Sequence, residues 1–369
     1  MVLAGFLGFL DPAKPDAKEA IGLLGAHGVR VKVLTGDNAI ITQHVAEEVG
    51  IANQLVATGN DVDAMDDSAL RQAVETTDLF VKLSPMQKAR IIKTMRAAGH
   101  TVGYMGDGIN DTAALREADV SISVDTAADI TKDASGIILL EKSLLVLEDG
   151  ILEGRRVYAN AMKYIKMTIA SNFGNAFSVL VASIFLPFLP MLAIQLLVQN
   201  LIYDTSQMTI PWDNVDEATL AQPTPWRAKG LLRYTLTFGP LSSIFDITTF
   251  LFLWFGLGVG THAASVSAQH LFQAGWFVVG LFTQSLVVHV LRTRHTPFWR
   301  SPASAIVILS TMMALLVGLF IILSPFHQAF DFGILPVTYW PGAAVIILVY
   351  LILVETVKRI YLKRGRPWL

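Results

Sequence analysis

Downstream of Tyr164 the chain holds six predominantly apolar stretches, at about 164 to 186, 190 to 210, 234 to 257, 271 to 291, 303 to 323 and 336 to 356. Each is near the roughly 20 residues that a helix needs to cross the hydrocarbon core of a bilayer. Stretches of that kind leave few folds open, because every backbone polar group in lipid must be bonded internally. The composition agrees: with 53% hydrophobic and 16% charged residues, neither a disordered chain nor an ordinary soluble domain is expected. Charge is unevenly divided. Residues 1–150 carry 13 Lys/Arg against 22 Asp/Glu, and residues 151–369 carry 15 against 8. An acidic soluble part, 1–150, therefore precedes a basic, apolar membrane part, 151–369. The formal net charge of -2, with no basic cluster on the soluble part, argues against a nucleic-acid partner. The absence of cysteine excludes disulfides and thiolate metal sites. The opening run MVLAGFLGFLDP is too short to span a bilayer and has neither the basic start nor the cleavage site of a signal peptide.

The loops set an orientation. Arg155, Arg156, Lys163 and Lys166 precede the first stretch; Arg227, Lys229 and Arg233 lie between the second and third; Arg292, Arg294 and Arg300 lie between the fourth and fifth. Lys358, Arg359, Lys363, Arg364 and Arg366 follow the sixth, so all 15 basic residues of this part fall on one side. Positive charge marks the cytoplasmic side, which predicts that both termini of this chain are cytoplasmic. No internal repeat is evident among the stretches, which weakens a secondary transporter built from paired halves.

In the soluble part the apolar spacing predicts helices at 16–26, 39–49, 86–98 and 110–117, with strands at 29–34, 79–83, 100–105, 120–124 and 136–140. Such alternation implies an α/β fold with a parallel sheet, whose ligands bind beyond the carboxyl ends of the strands. Thr35-Gly36-Asp37-Asn38 follows one strand, Gly106-Asp107-Gly108-Ile109-Asn110-Asp111 follows another, and Lys88 sits on the helix after Ser84-Pro85. Asp107 and Asp111, four residues apart across a helix start, can face one point, and two hard oxygen ligands with room for water suit magnesium. Taken singly, these residues also have plainer readings: Asp-Gly as a turn, Asn110 or Asp111 as a helix cap, Thr35 as a turn residue, Lys88 as a solvated charge. In combination, a hydroxyl, an ammonium and a carboxylate pair at one sheet edge can hold, neutralise and metal-bridge a phosphoryl group.

In this order, FLDPAKP, VLTGDN, SPMQKARII and MGDGINDTAAL, followed by six apolar stretches, resemble the P-type cation-pumping ATPases, over the entire chain. The segments SNFGNAFSVLVASIFLPFLPML, QNLIYDTSQMTIPWDNVD, FGPLSSIFD and FQAGWFVVGLFTQSLVVHVLRTR are similar to the bacterial magnesium-transporting branch. The resemblance implies a haloacid-dehalogenase-like, Rossmann-like phosphorylation domain, present in part, followed by an all-α bundle of six transmembrane helices. It assigns catalytic roles to Thr35, Gly36, Asp37 and Lys88, cofactor magnesium to Asp107 and Asp111, and support of the phosphate site to Asn110. Thr112 departs from the family, which usually has proline there. No DKTGT motif, which carries the phosphorylated aspartate in such pumps, occurs in this sequence. By the same resemblance the nucleotide-binding and actuator domains and four earlier spans are not represented, so the chain looks like the C-terminal part of a pump about twice its length or more. ATP would be bound mainly by the unrepresented domain.

Asp204 lies within the second apolar stretch, and Asn200 is one turn earlier on the same helical face; Asn172 and Asn175 share a face of the first. An ionisable residue at membrane depth reads first as a functional site. By resemblance Asn172, Asn175, Asn200 and Asp204 match the cation ligands of the fifth and sixth helices of a complete pump, and Gln284 falls where the eighth contributes an oxygen. The amides also have a reading as interhelical packing groups. Asp246, in the third stretch, could pair with a backbone group. One central carboxylate with several amides suits a partly hydrated cation such as magnesium. The expected function is ATP-driven magnesium uptake across the bacterial inner membrane through an aspartyl-phosphate, with ATP, magnesium, lipid and the remainder of the pump as partners. The alternatives are a pump for calcium or protons, or a truncated, non-catalytic membrane protein.

Overall fold

The structure, a computed structural model, describes residues 13–51, 55–141, 143–223, 228–366 and 368. The opening apolar run and the first four residues of FLDPAKP lie outside that set. The chain forms two compact units, Met1–Gly154 and Arg155–Leu369.

The first unit alternates strands and helices: α1 (Ala17–Ala26), β1 (Val33–Leu34), α2 (Ala39–Glu48), β2 (Val56–Thr58), α3 (Gly59–Ala64), α4 (Asp67–Thr76), β3 (Leu79–Val81), α5 (Pro85–Ala97), β4 (Gly103–Met105), α6 (Thr112–Glu117), β5 (Val120–Val124), α7 (Asp129–Asp133) and β6 (Ile137–Leu139). Where the sequence predicts one sheet, the described residues form two parallel sheets of three strands, ordered β1-β3-β2 and β4-β5-β6. Val33 lies opposite Leu79, and Gly103 opposite Val120. The central strand β3 is wholly buried, as a strand covered on both faces must be. β1 is shorter than the predicted 29–34 because it pairs on one side only, with β3, while Arg30 and Lys32 upstream turn to Asp78.

The segment 55–78, which the apolar spacing does not resolve, contains a strand and two helices started by their caps. The hydroxyl of Thr58 accepts from the backbone N–H of Asp61, and the Asp66 carboxylate accepts from that of Ala69. α4 turns only Leu70 and Val74 inward, a narrow stripe worth about 1.5–3 kcal/mol per side chain.

The second unit is helical: α8 (Leu144–Phe185, which begins before the unit boundary), α9 (Ala193–Gln207), α10 (Glu217–Leu220), α11 (Ala228–Leu251, continued by a wide π turn to Gly256), α12 (Val266–Leu291), α13 (Ala305–Leu323) and α14 (Tyr339–Lys363). Five of them, α8, α11, α12, α13 and α14, are long and apolar enough to cross a membrane. The chain is a multi-pass membrane protein. The expected stretch 190–210 is instead the 15-residue helix α9, about 22 Å long at 1.5 Å per residue. It starts after Pro187 and Pro190 and ends before Pro211, residues that cannot continue a helix backwards into their N-terminal neighbours. α12 is the most enclosed helix, whereas α13 and α14 expose Leu309, Leu316, Phe320, Val345 and Leu348, an outward apolar surface appropriate to lipid.

Candidate functional site

In the first unit the TGDN loop leaves β1 and is clasped by the segment after β3. Lys82 N–H donates to Asp37 O (2.9 Å) and Leu83 N–H to Thr35 O (3.0 Å). Lys82 takes φ +51° to do so, a left-handed conformation uncommon for a side chain of its size. The Thr35 hydroxyl donates to Asp37 Oδ2 (2.9 Å) and accepts from the Asp37 N–H (3.1 Å), while the Asn38 side chain caps α2 by accepting from Ile41 N–H. Gly36 and Asp37 are exposed. One residue after Leu83, Ser84 caps α5 in a reciprocal box with Gln87, with Pro85 at the first helical position. The TGDN loop is thus tied through backbone to the start of the helix that carries Lys88.

Lys88 is buried and is no solvated charge: its Nζ donates to Asp111 Oδ1 at 2.8 Å. The Tyr104 hydroxyl donates to the same oxygen at 2.7 Å, and Gly108 N–H reaches Oδ2 at 3.3 Å. Burial, then the hydrogen bond to Asp111, raise the pKa of Tyr104 far above the ordinary phenol value, so it acts there only as a donor. The loop is built around this carboxylate. A Cβ on Gly106 would stand 2.6 Å from Asp111 Cβ, so that position requires glycine, whereas one on Gly108 would meet only the tip of the exposed Asn110 side chain, 2.1 Å from its Oδ1. Ser123 Oγ donates to Gly106 O from β5 and fixes the turn from below. Thr112 has φ −54°, within the range proline would impose, and its hydroxyl folds back onto Ile109 O.

Lys88 and Asp111 are therefore brought together, and no side-chain hydrogen bond joins them to Thr35 or Asp37 among the described residues. Asp107 and Asn110 are exposed, and Asp107 makes no hydrogen bond among the described residues. One exposed carboxylate, four residues before a second that is held by an ammonium, is a hard-oxygen donor pair. That fits magnesium rather than a softer metal. No cluster of three acidic or histidine ligands occurs among the described residues. Tyr104, seven residues before Asp111, is a supporting residue that the sequence pattern does not single out.

In the second unit α9 has two polar faces. One, formed by Gln195, Gln199, Tyr203, Ser206 and Gln207, is buried. Gln195 Nε2 donates to Phe330 O (2.9 Å) and Gln273 Nε2 to Leu189 O (3.0 Å), and Gln199 Nε2 packs against Gly280, where a Cβ would lie 2.6 Å away. The other face presents Asn200 and Asp204, both exposed. On α8, Asn172 is exposed and Asn175 half-buried; Asn175 Oδ1 accepts from Gln284 Nε2 of α12 at 2.7 Å. Gln284 Oε1, buried, has no hydrogen-bond partner among the described residues. The predicted set thus divides into an Asn175–Gln284 pair and a row of exposed oxygens. The buried glutamines of α9 carry a signal of their own, a polar i, i+4 pair within an apolar stretch.

A second buried polar cluster lies at the end of the bundle where Lys163 and Arg292 meet. Both reach Asp213 Oδ2, at 2.8 and 2.6 Å, and all three side chains are buried. Next to it Asp216 accepts from Thr293 Oγ1, Ser301 Oγ and Arg294 N–H. Burial favours the neutral acid of Asp216, but these donors outweigh it and hold its pKa below the ordinary value.

Residues 2–119 match the haloacid dehalogenase-like hydrolase family model, and residues 188–360 match that of the cation transporting ATPase C-terminus. The chain is 50% identical over its whole length to a protein of Salmonella typhimurium named magnesium-transporting ATPase, P-type 1, and covers 40% of that relative. It is 48% identical over 99% of its length to the protein of the same name in Escherichia coli, again covering 40%. A more distant relative is an endoplasmic reticulum calcium ATPase of Aspergillus fumigatus, 31% identical over 55% of this chain and 22% of that protein. The chain thus spans about two fifths of the length of the first two relatives.

Proposed function

We infer that this chain, which belongs to the P-type cation-transporting ATPases, supplies phosphate-handling residues and cation-binding helices to a bacterial magnesium pump. One observation carries the reading: Asn200 and Asp204 share an exposed face of the short helix α9, and Asn172 of α8 is exposed as well, in a bundle whose outer surface is mostly apolar. A carboxylate facing hydrocarbon costs several kcal/mol. We therefore assign this face to contact with a hydrated cation and further protein rather than lipid. Asp204 supplies the charge and Asn172, Asn175 and Asn200 supply neutral oxygens, while Gln284, tied to Asn175, offers its free Oε1. Few charges and many neutral oxygens suit a cation that keeps part of its water, as magnesium does.

In the soluble unit Lys88 holds Asp111 in place and neutralises it, leaving Asp107 as the carboxylate free to bind. Bound at Asp107 and Asp111, magnesium would neutralise phosphoryl oxygens. Thr35 offers a hydroxyl to a phosphoryl oxygen once it is released from Asp37, and Gly36 lets the backbone approach closely. The phosphorylated aspartate and most ATP contacts would come from sequence that this chain does not contain. The one-sided basic loops support a reading in which both termini of this chain lie on the cytoplasmic face of the inner membrane, and the resemblance to magnesium-transporting pumps supports uptake as the direction.

The test is growth. A full-length pump carrying Asp204→Asn, expressed at the parent level, is expected to be phosphorylated yet to fail to rescue a magnesium-uptake-deficient bacterium in low magnesium. Asn200→Ala should weaken rescue less, because water can replace one neutral ligand. Unchanged growth with Asp204→Asn would remove Asp204 from the ion path.

A further inference from the structure

Apart from both sites, Asp246 of α11 is buried between α8 and α12. Its Oδ1 accepts from Trp276 Nε1 at 2.9 Å, and its Oδ2 lies 2.6 Å from Ser178 Oγ of α8. Neither partner is charged, and no Lys, Arg or His pairs with Asp246 among the described residues. From α14 the ionisable neighbour is Tyr350, whose ring meets that of Phe245 edge-on.

Counting hydrogens is informative here. Ser178 Oγ also lies 2.9 Å from Gly174 O, the i−4 carbonyl to which a helical serine ordinarily donates. A hydroxyl has one hydrogen. With that hydrogen on Gly174 O, the contact between Ser178 and Asp246 needs a hydrogen on the carboxyl group. When the carboxyl is ionised, Ser178 can turn to Oδ2, and Gly174 O keeps its second donor, Ser243 Oγ at 2.9 Å. Both protonation states leave every group bonded. Close packing of α8 on α11 fixes the spacing, since a Cβ on Gly174 would lie 3.0 Å from Gly239 O and one on Gly239 would lie 2.7 Å from Phe173 Cδ1. Neither Ser178 nor Trp276 brings a positive charge to balance an ionised carboxylate there.

We propose that Asp246 is a proton-binding site of the membrane unit, separate from the Asn172, Asn200 and Asp204 set, with its proton on Oδ2 donated to Ser178 and relayed by that hydroxyl to Gly174 O. Loading adds one proton from water to the carboxylate, and unloading returns it. The claim does not depend on which cation crosses.

Infrared spectroscopy of the full chain in lipid bilayers tests it. Near neutral pH a protonated-carboxyl C=O band is expected that shifts on isotope labelling of aspartate, disappears in Asp246→Asn and persists in Asp204→Asn. Trp276→Phe leaves the acid in place but removes the donor to its carbonyl oxygen, so the band should move to higher frequency; this arm holds even if Asp246→Asn does not fold. Absence of a protonated aspartate band near neutral pH, or a band lost with Asp204→Asn and unmoved by Trp276→Phe, would overturn the proposal.

Discussion

Replacing Asp213 by Asn changes few atoms but leaves two cations without their counter-ion. Lys163 and Arg292 are 2% and 1% exposed at the side chain, and the Asp213 side chain is 0% exposed, so water cannot take over its role. Breaking a buried pair from one side costs about 3–5 kcal/mol. The low end applies here, because Lys163 Nζ keeps Asn214 O at 2.7 Å, Arg292 keeps Asn214 O at 3.0 Å together with Ser301 O, and Asp216 stands nearby. The expected loss is about 3 kcal/mol, on the order of a hundredfold in the folding equilibrium. Unfolding in mixed micelles, followed by tryptophan fluorescence as the denaturing detergent is increased, reads it. Adding Lys163→Met to Asp213→Asn should recover about 1–2 kcal/mol by removing one orphaned charge. A single variant within about 0.5 kcal/mol of the parent, or a double variant showing simple additivity, would refute the reasoning.

Three further outcomes are expected. Burial favours the neutral acid of Asp78, but Arg30 and Lys32 outweigh it and hold its pKa below the ordinary value; its contribution is present above the unfolded value of about 3.9 and lost as pH falls through the folded pKa. Protection of residues 79–83 from hydrogen exchange, taken relative to the intrinsic rate at each pH, should therefore fall in acid, and Asp78→Asn should flatten that dependence. Gly106→Ala should cost the soluble unit about 1–3 kcal/mol in thermal unfolding, since the added Cβ falls on Asp111. Incubated with labelled ATP and magnesium, the polypeptide by itself should form no hydroxylamine-sensitive phosphoenzyme, because the sequence contains no DKTGT.

The sequence is most readable where one local signal decides the outcome. Ser84-Pro85 with Gln87 sets the start of α5 within a residue of the pattern, and the first glycine of the GDG turn is required by the Asp111 side chain packed against it. Residues 55–78 are obscure because α4 buries only two side chains, too few for apolar periodicity to register, and its ends are set by caps. Lys163, Arg292 and Lys358 show the converse. In the sequence they count as loop charges that orient the membrane part, yet all three are buried and bonded to other parts of the bundle. Charge in a sequence reports sign, whereas its partner is set by tertiary packing: Asp213 lies 50 residues from Lys163 and 79 from Arg292. The length of α9 was hidden similarly, because mean apolar character does not mark where prolines stop a helix.

Asp204 and its neighbours are proposed to carry magnesium, and the Lys88–Asp111 loop to handle phosphate. Uptake into proteoliposomes containing a full-length pump, followed with a magnesium-sensitive dye alongside phosphoenzyme formation, separates the two functions in one experiment. Asp204→Asn is expected to form phosphoenzyme but move no magnesium, whereas Asp107→Asn is expected to form none and also move none. Normal magnesium transport by Asp204→Asn, or normal phosphorylation of Asp107→Asn at ordinary magnesium concentration, would contradict that assignment.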